Sequence, residues 1–162
     1  MYLYLKQKVF SLTEKFTFFD ENQNVVYSAG GSFFSFPKTF RLLKDDRTVL
    51  TIEKKIWPLM PQYRLLSADG NEIAFIKQKF TLKPTFEIAS QNGNLRIDGS
   101  FWGYTFRISD ADGNAVTSVQ KRYFSWGDAY EIYIDESKIN PAAACGIVVA
   151  FDNAVHNENN GN

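Results

Sequence analysis

The chain has 162 residues and a mass of 18.5 kDa, enough to bury one full core and short for two. Its 18 Lys and Arg balance 18 Asp and Glu, which excludes a globally basic nucleic-acid binder and an acidic solvating chain and leaves any electrostatic partner to a local patch. The 15 Phe, 8 Tyr and 3 Trp exclude disorder for the body and favour packed sheets.

Read from the N-terminus, MYLYLKQK lacks the basic start and apolar run of a secretory signal. A lone cysteine, Cys145, cannot close an intramolecular disulfide. The longest strongly apolar stretch, Ala142 to Phe151, has ten residues, about half of the ~20 needed to cross a bilayer. A cytoplasmic protein is expected, built as one domain over residues 1–156 with a flexible tail at 157–162.

A repeating unit follows. An aromatic residue leads a strand, a polar turn intervenes, and a second strand follows that often ends in basic residues. The leads Phe16, Phe40, Tyr63 and Phe86 lie 24, 23 and 23 residues apart, and Tyr104 opens a fifth unit. Asp69-Gly70, Asn92-Gly93 and Asp112-Gly113 fall at the midpoints of three units, where Asx-Gly pairs favour tight reversals. Each unit is therefore a predicted hairpin. Alternation agrees: Tyr104, Phe106 and Ile108 oppose Thr105, Arg107 and Ser109, and Tyr130, Ile132 and Ile134 oppose Glu131, Tyr133 and Asp135. The pattern predicts about twelve strands, near 2–9, 15–20, 24–34, 38–44, 48–56, 62–67, 72–80, 85–90, 95–101, 103–109, 115–124 and 129–135.

The last segment breaks this rhythm. Asn140 can cap a helix, Pro141 suits its first turn, and AAACGIVVAFDNAV continues without alternation, which predicts a helix over about 141–155. Ala143, Ile147, Val148, Ala150, Phe151 and Ala154 leave almost no polar side before Asp152, and a helix apolar all round has to be surrounded. Eleven strands can close around a central helix, so a twelve-stranded meander has the room. The expected fold is mainly β: an antiparallel barrel of about twelve strands enclosing a C-terminal hydrophobic helix. A sandwich or propeller would leave that helix on an outer face.

The KQKVFSL opening, IAFIKQKF, FWGYTFRI, KRYFSWGDAYEIYI and the apolar terminal helix resemble the LURP-one-related family over nearly the whole chain. The resemblance implies kinship with tubby C-terminal and phospholipid scramblase domains, and a twelve-stranded barrel wrapped around a hydrophobic helix. Tubby domains bind phosphoinositides through basic residues, and scramblases are associated with membranes and calcium. None of those binding residues maps one by one onto this chain. Gly146 interrupts the helix and Asp152 closes it, which argues against a scramblase-like crossing of the membrane.

No catalytic set emerges from the residues, so an enzyme is not the expected reading. Cys145 lies on the apolar helix and reads as a small buried hydrophobe, and His156 sits at or beyond the helix end as a solvated or C-terminal cation. Asp110-Ala-Asp112-Gly-Asn114 alternates oxygen ligands, but its glycine stands at the fourth position, and Lys121 replaces the terminal Glu of an EF-hand loop. It reads as a hairpin turn. Neither metal nor cofactor is nominated.

The functional signal comes from strand direction. In an up-and-down meander all odd-numbered strands end at one rim. Lys6, Lys8, Lys54, Lys55, Lys77, Lys79, Lys121 and Arg122 occupy such ends, and Trp57, Trp102 and Trp126 fall at or just past the same rim. The opposite rim collects Asp20, Glu21, Asp45, Asp46, Asp69, Asp110 and Asp112. A basic, aromatic rim suits anionic phospholipid or phosphoinositide headgroups, so a non-catalytic binding or scaffold module is expected, peripheral at the inner membrane face. The rival readings are a small-ligand carrier or enzyme with a cleft in the barrel wall, and a structural module that binds another protein. The same lysines equally serve as solubilising edge charges, with the tryptophans plugging the barrel mouth. Nucleic acid is disfavoured by the acidic pole and zero net charge.

Overall fold

A computed structural model describes residues 1–7, 15–31, 38–55, 59–79, 85–91, 93–100, 105–124 and 127–159. Twelve strands run in order: β1 (Tyr2–Gln7), β2 (Lys15–Phe19), β3 (Val25–Gly31), β4 (Thr39–Lys44), β5 (Arg47–Lys54), β6 (Gln62–Ser67), β7 (Glu72–Lys79), β8 (Thr85–Ser90), β9 (Gly93–Ser100), β10 (Thr105–Ser109), β11 (Ala115–Phe124) and β12 (Gly127–Ile134). A helix, α1 (Pro141–Asn159), follows. Every strand pairs antiparallel with its chain neighbours, and β12 closes on β1 with Leu3 opposite Ile132 and Leu5 opposite Tyr130. The expected meander and its closure are both present.

Alternation sorts the wall. Inward positions such as Phe16 and Phe18, Leu50 and Ile52, Tyr63 and Leu65, and Ile132 and Ile134 are almost fully buried, while their neighbours are not. What they bury against is the helix. Ala144 through Phe151 are all buried; the Phe151 ring centroid lies 5.3 Å from that of Phe86 on β8 and 4.3 Å from that of Phe106 on β10. Phe151 thus meets β8 and β10, Gly146 faces Leu50 of β5 and Leu65 of β6, and the helix is buried without a break from Ala144 to Phe151, so the closed wall surrounds α1.

The start of α1 follows the sequence signal. Asn140 Oδ1 accepts from the amides of Ala142 at 2.9 Å and Ala143 at 3.4 Å, and Pro141 takes the first helical position. Its end does not. Asp152 does not close the helix, which continues to Asn159: Phe151, Asn153, Ala154 and Val155 are buried on either side of a half-buried Asp152, so the barrel wall rather than local propensity carries the helix past this charge. Gly146 is likewise no interruption. A Cβ built there would come within 2.3 Å of Leu50 Cδ2 and 3.2 Å of Leu65 Cδ2, so the missing side chain lets the helix lie against β5 and β6.

Three hairpins share one turn. Asp20, Ser67 and Asp110 each donate their amide to the carbonyl of the residue four ahead (Asn24, Asn71 and Asn114), and each accepts from the amide three ahead. The third-ahead residue is Gln23, Gly70 or Gly113, with φ of 65°, 85° and 84°. Register shifts accompany these turns at Phe18/Phe19, Leu65/Leu66 and Ile108/Ser109, and one falls at Leu42/Leu43. All four bulges lie at the C-terminal ends of even-numbered strands, hence at one mouth. Beyond each bulge two consecutive residues pack on the core, as Val49 and Leu50 or Ile73 and Ala74 do.

Gln23 alone of the three pays the left-handed cost of a side chain, about 1 kcal/mol. Glycine there relieves it, offset in part by the greater freedom of glycine in the unfolded chain. Gln23→Gly is therefore expected to raise Tm by about 2 °C, read by thermal denaturation followed by circular dichroism; a lower Tm would contradict the turn assignment.

Candidate functional site

Closure gives the barrel two unlike mouths. Odd-numbered strands end at one, even-numbered strands at the other, and α1 enters from the second and runs toward the first. The second mouth is framed by the turns and the connector 135–140 and bears Asp20, Glu21, Asp45, Asp46, Asp69, Asp110 and Asp112. The first collects the ends of β1, β5, β7 and β11 and therefore Lys6, Lys54, Lys55, Lys77, Lys79, Lys121 and Arg122. Lys8, Trp57, Trp102 and Trp126 lie outside the described residues.

These cations do not form one uniform ring. Lys6, Lys77, Lys79 and Arg122 stand on the outward register, whereas Lys54 continues the inward series Leu50 and Ile52, and Lys121 the inward series Thr117 and Val119. Counting twos along each strand would have separated the two sets from sequence alone. Lys77, Lys79, Lys121 and Arg122 are exposed; Lys6 and Lys54 are half-buried. Acids interleave with them. Lys79 pairs with Glu87, and Arg122 Nη2 lies 3.1 Å from Glu131 Oε1. Aromatic rings take others: Lys6 Nζ lies 5.6 Å from the Phe19 ring centroid, and Lys55 Nζ 4.9 Å from that of Phe75.

Behind the inward lysines lies a polar link that the sequence reading did not single out. Tyr63 and Asn153 are almost wholly buried, and the Tyr63 hydroxyl donates to Asn153 Oδ1 at 3.0 Å. Lys54, opposite Tyr63 in register, sits with Nζ 6.0 Å from the Tyr63 ring centroid. One chain of contacts thus joins the basic mouth, β6 and the far half of the helix. An asparagine in an apolar helix was the available signal, since a buried amide needs a partner; its partner follows only from closure.

The remaining motifs resolve into structure. Asp110 accepts from the amides of Asp112 at 3.1 Å and Asn114 at 2.8 Å, from Asn114 Nδ2 at 3.3 Å and from Lys138 Nζ at 3.0 Å. This set holds its carboxyl below the usual range, with the Lys138 hydrogen bond the largest cause, and makes 110–114 a hairpin turn. Burial pushes the Cys145 thiol well up, as expected of an inert core sulfur rather than a nucleophile. His156 falls within α1. No helix among the described residues is long and apolar enough to cross a membrane.

Comparison with known proteins agrees with the geometry. The sequence model of the family described as LURP-one-related matches residues 1–152. A protein of Bacillus subtilis (strain 168), named "Uncharacterized protein YxjI", is 29% identical over 157 residues, spanning 96% of this chain and 94% of its own.

Proposed function

The chain belongs to the LURP-one-related family, and from that premise we propose that it is a non-catalytic binding module whose basic mouth docks on anionic phospholipid headgroups. The observation that carries this reading is that Lys6, Lys77, Lys79 and Arg122, spread around the outward register, all lie toward one end of a closed barrel whose other end is predominantly acidic. A neutral protein polarised along its axis approaches an anionic surface basic end first, because attraction and repulsion act on opposite poles within a Debye length of about 10 Å. Trp57, Trp102 and Trp126, next to the same strand ends in sequence, would add rings that settle at headgroup depth. The buried Cys145 and the fully engaged Asp110 turn offer no nucleophile or open ligand set, which favours binding over catalysis. Localisation at the inner face of a membrane follows from the same reading.

Co-sedimentation with vesicles of neutral phosphatidylcholine, with and without phosphatidylserine, tests it. Binding is expected only with the anionic lipid and is expected to fall as salt rises. Changing Lys77, Lys79 and Lys121 to Gln together with Arg122→Gln should weaken it at least tenfold, since each cation near such a surface contributes about 1 kcal/mol and two of the four are partly offset by Glu87 and Glu131. Equal binding to neutral vesicles, or none at low salt, would overturn the proposal.

A further inference from the structure

The connectors of the two mouths are chemically opposite. At the basic mouth, odd-numbered strands pass to even-numbered ones through 8–14, 32–38, 55–61, 80–84, 101–104 and 125–126. In sequence each of these six carries a Phe or a Trp, and together they hold one acid, Glu14. The connectors of the other mouth, 20–24, 45–46, 68–71, 91–92, 110–114 and 135–140, carry no aromatic residue. Connections that face only water are built from polar residues, as the second set is. The first set is composed to meet an apolar phase, either the barrel interior or something outside it.

Leu59 decides between the two for the β5–β6 connector. Its side chain is fully exposed, so it does not plug the barrel. The other exposed large apolar side chains among the described residues, Met1, Tyr2, Val25 and Tyr133, lie toward the acidic mouth. Single exposed leucines are common on protein surfaces, and the setting of this one gives it meaning. Its connector is fastened at the base: Lys55 donates its amide to the Gln62 carbonyl at 2.9 Å, and the Pro61 carbonyl accepts from the Gln78 amide at 3.1 Å. Pro58 and Pro61 stand on either side of it in sequence and each fixes a backbone angle, so little freedom is left to lose when the tip is held. Lys55 and Lys77 are exposed beside that base, with Lys77 opposite Gln62 in register.

Hydrocarbon between cations suits a membrane interface, where charges stay with the phosphates and apolar side chains enter the boundary with the acyl chains. A dissolved phosphate ester would engage the lysines and leave Leu59 in water, whereas an anionic bilayer takes up both. We propose that Leu59 is a membrane anchor, entering the acyl boundary of an anionic bilayer while Lys55 and Lys77 remain among the headgroups. This role rests on docking of the basic mouth, and it commits the partner to an assembled bilayer with the β5–β6 edge of the barrel leading into it.

Leu59→Cys carrying the environment-sensitive fluorophore NBD tests the anchor. Cys145 is buried, so the label goes to position 59 alone. Phosphatidylcholine vesicles containing phosphatidylserine are expected to raise its emission about twofold and shift it to the blue, and lipids with a nitroxide near the top of the acyl chain are expected to quench it. The same label on Asp112→Cys, at the acidic mouth, should not respond. Leu59→Ala should weaken co-sedimentation with these vesicles about fivefold while leaving Tm unchanged, because the side chain is exposed in the free protein. Glycerophosphoserine, the headgroup without its chains, should not displace the protein when in excess over the lipid. Vesicle binding with an unresponsive label at 59, or binding undiminished by Leu59→Ala, would overturn the anchor and leave headgroup docking standing. A clear fall in Tm of Leu59→Ala would overturn it as well, by showing the leucine packed, and displacement by glycerophosphoserine would assign the mouth to a dissolved anion. Failure of the unaltered protein to sediment with anionic vesicles would remove docking and anchor together.

Discussion

Gly146→Val is expected to destabilise the protein by about 3 kcal/mol and to make Cys145 reactive toward a thiol reagent that does not touch the native chain. A Cβ at this position would lie 2.3 Å from Leu50 Cδ2 and 3.2 Å from Leu65 Cδ2, and valine adds two methyl groups beyond it. Neither leucine has somewhere to go. Leu50 is 1% exposed and Leu65 fully buried, both on the inner face of a wall whose strands are hydrogen-bonded on both edges. Gly146→Ala meets the same contact with less volume, while alanine recovers about 1 kcal/mol of helix propensity, so its net loss should be smaller, about 1 kcal/mol. Leu50→Ala alone costs about 2–5 kcal/mol. Combined with Gly146→Ala it should cost less than the two single losses added, because each change relieves the other. Urea denaturation measures the energies. Unchanged stability of the valine variant, with Cys145 still protected, would mean that the helix does not press on β5 and β6.

That contact also marks where sequence reasoning stops. Strand number, strand order and the enclosed helix follow from patterns each residue carries locally: alternation in Phe16 to Phe18, regular spacing of the leads, and a helix without a polar face. Gly146 carries no such local mark, since a glycine that breaks a helix and one that admits a neighbour look alike until the neighbour is known. Asp152 misleads for a related reason. Its charge ends an amphipathic stripe on an isolated helix, but in a barrel the flanking Phe151 and Asn153 keep the turn in place. The basic mouth is legible as a direction of strands and not as a surface. Which lysines face outward follows from counting twos along each strand, as at Lys54 and Lys77, but which of them are neutralised depends on cross-strand neighbours such as Glu87 and Glu131.

Asn153→Leu is expected to cost about 2–3 kcal/mol, and the loss should be coupled to Tyr63. Asn153 is 1% exposed and Tyr63 fully buried. Leucine nearly preserves the volume, so the cost arises from a phenol left in the core without the acceptor now 3.0 Å away. Tyr63→Phe removes the donor instead, leaving an amide oxygen short of a partner, and should cost about 1–2 kcal/mol. With both changes the bond is lost from both sides at once, so the double variant should lose at least about 1 kcal/mol less than the two single losses combined. A cycle that closes additively would show that the bond contributes nothing to holding the far half of α1. The same cycle bears on the basic mouth. Lys54 rests over the Tyr63 ring and Tyr63 holds the helix, so a change at Lys54 reaches into the core through the ring it covers. Its effect on vesicle binding would mix loss of charge with loss of packing, whereas Lys77 stands exposed on the outward register and reports on charge. Tyr63→Phe keeps the ring beneath Lys54 and should leave anionic-vesicle binding unchanged while lowering stability, which separates the anchoring of the helix from the recognition of the surface.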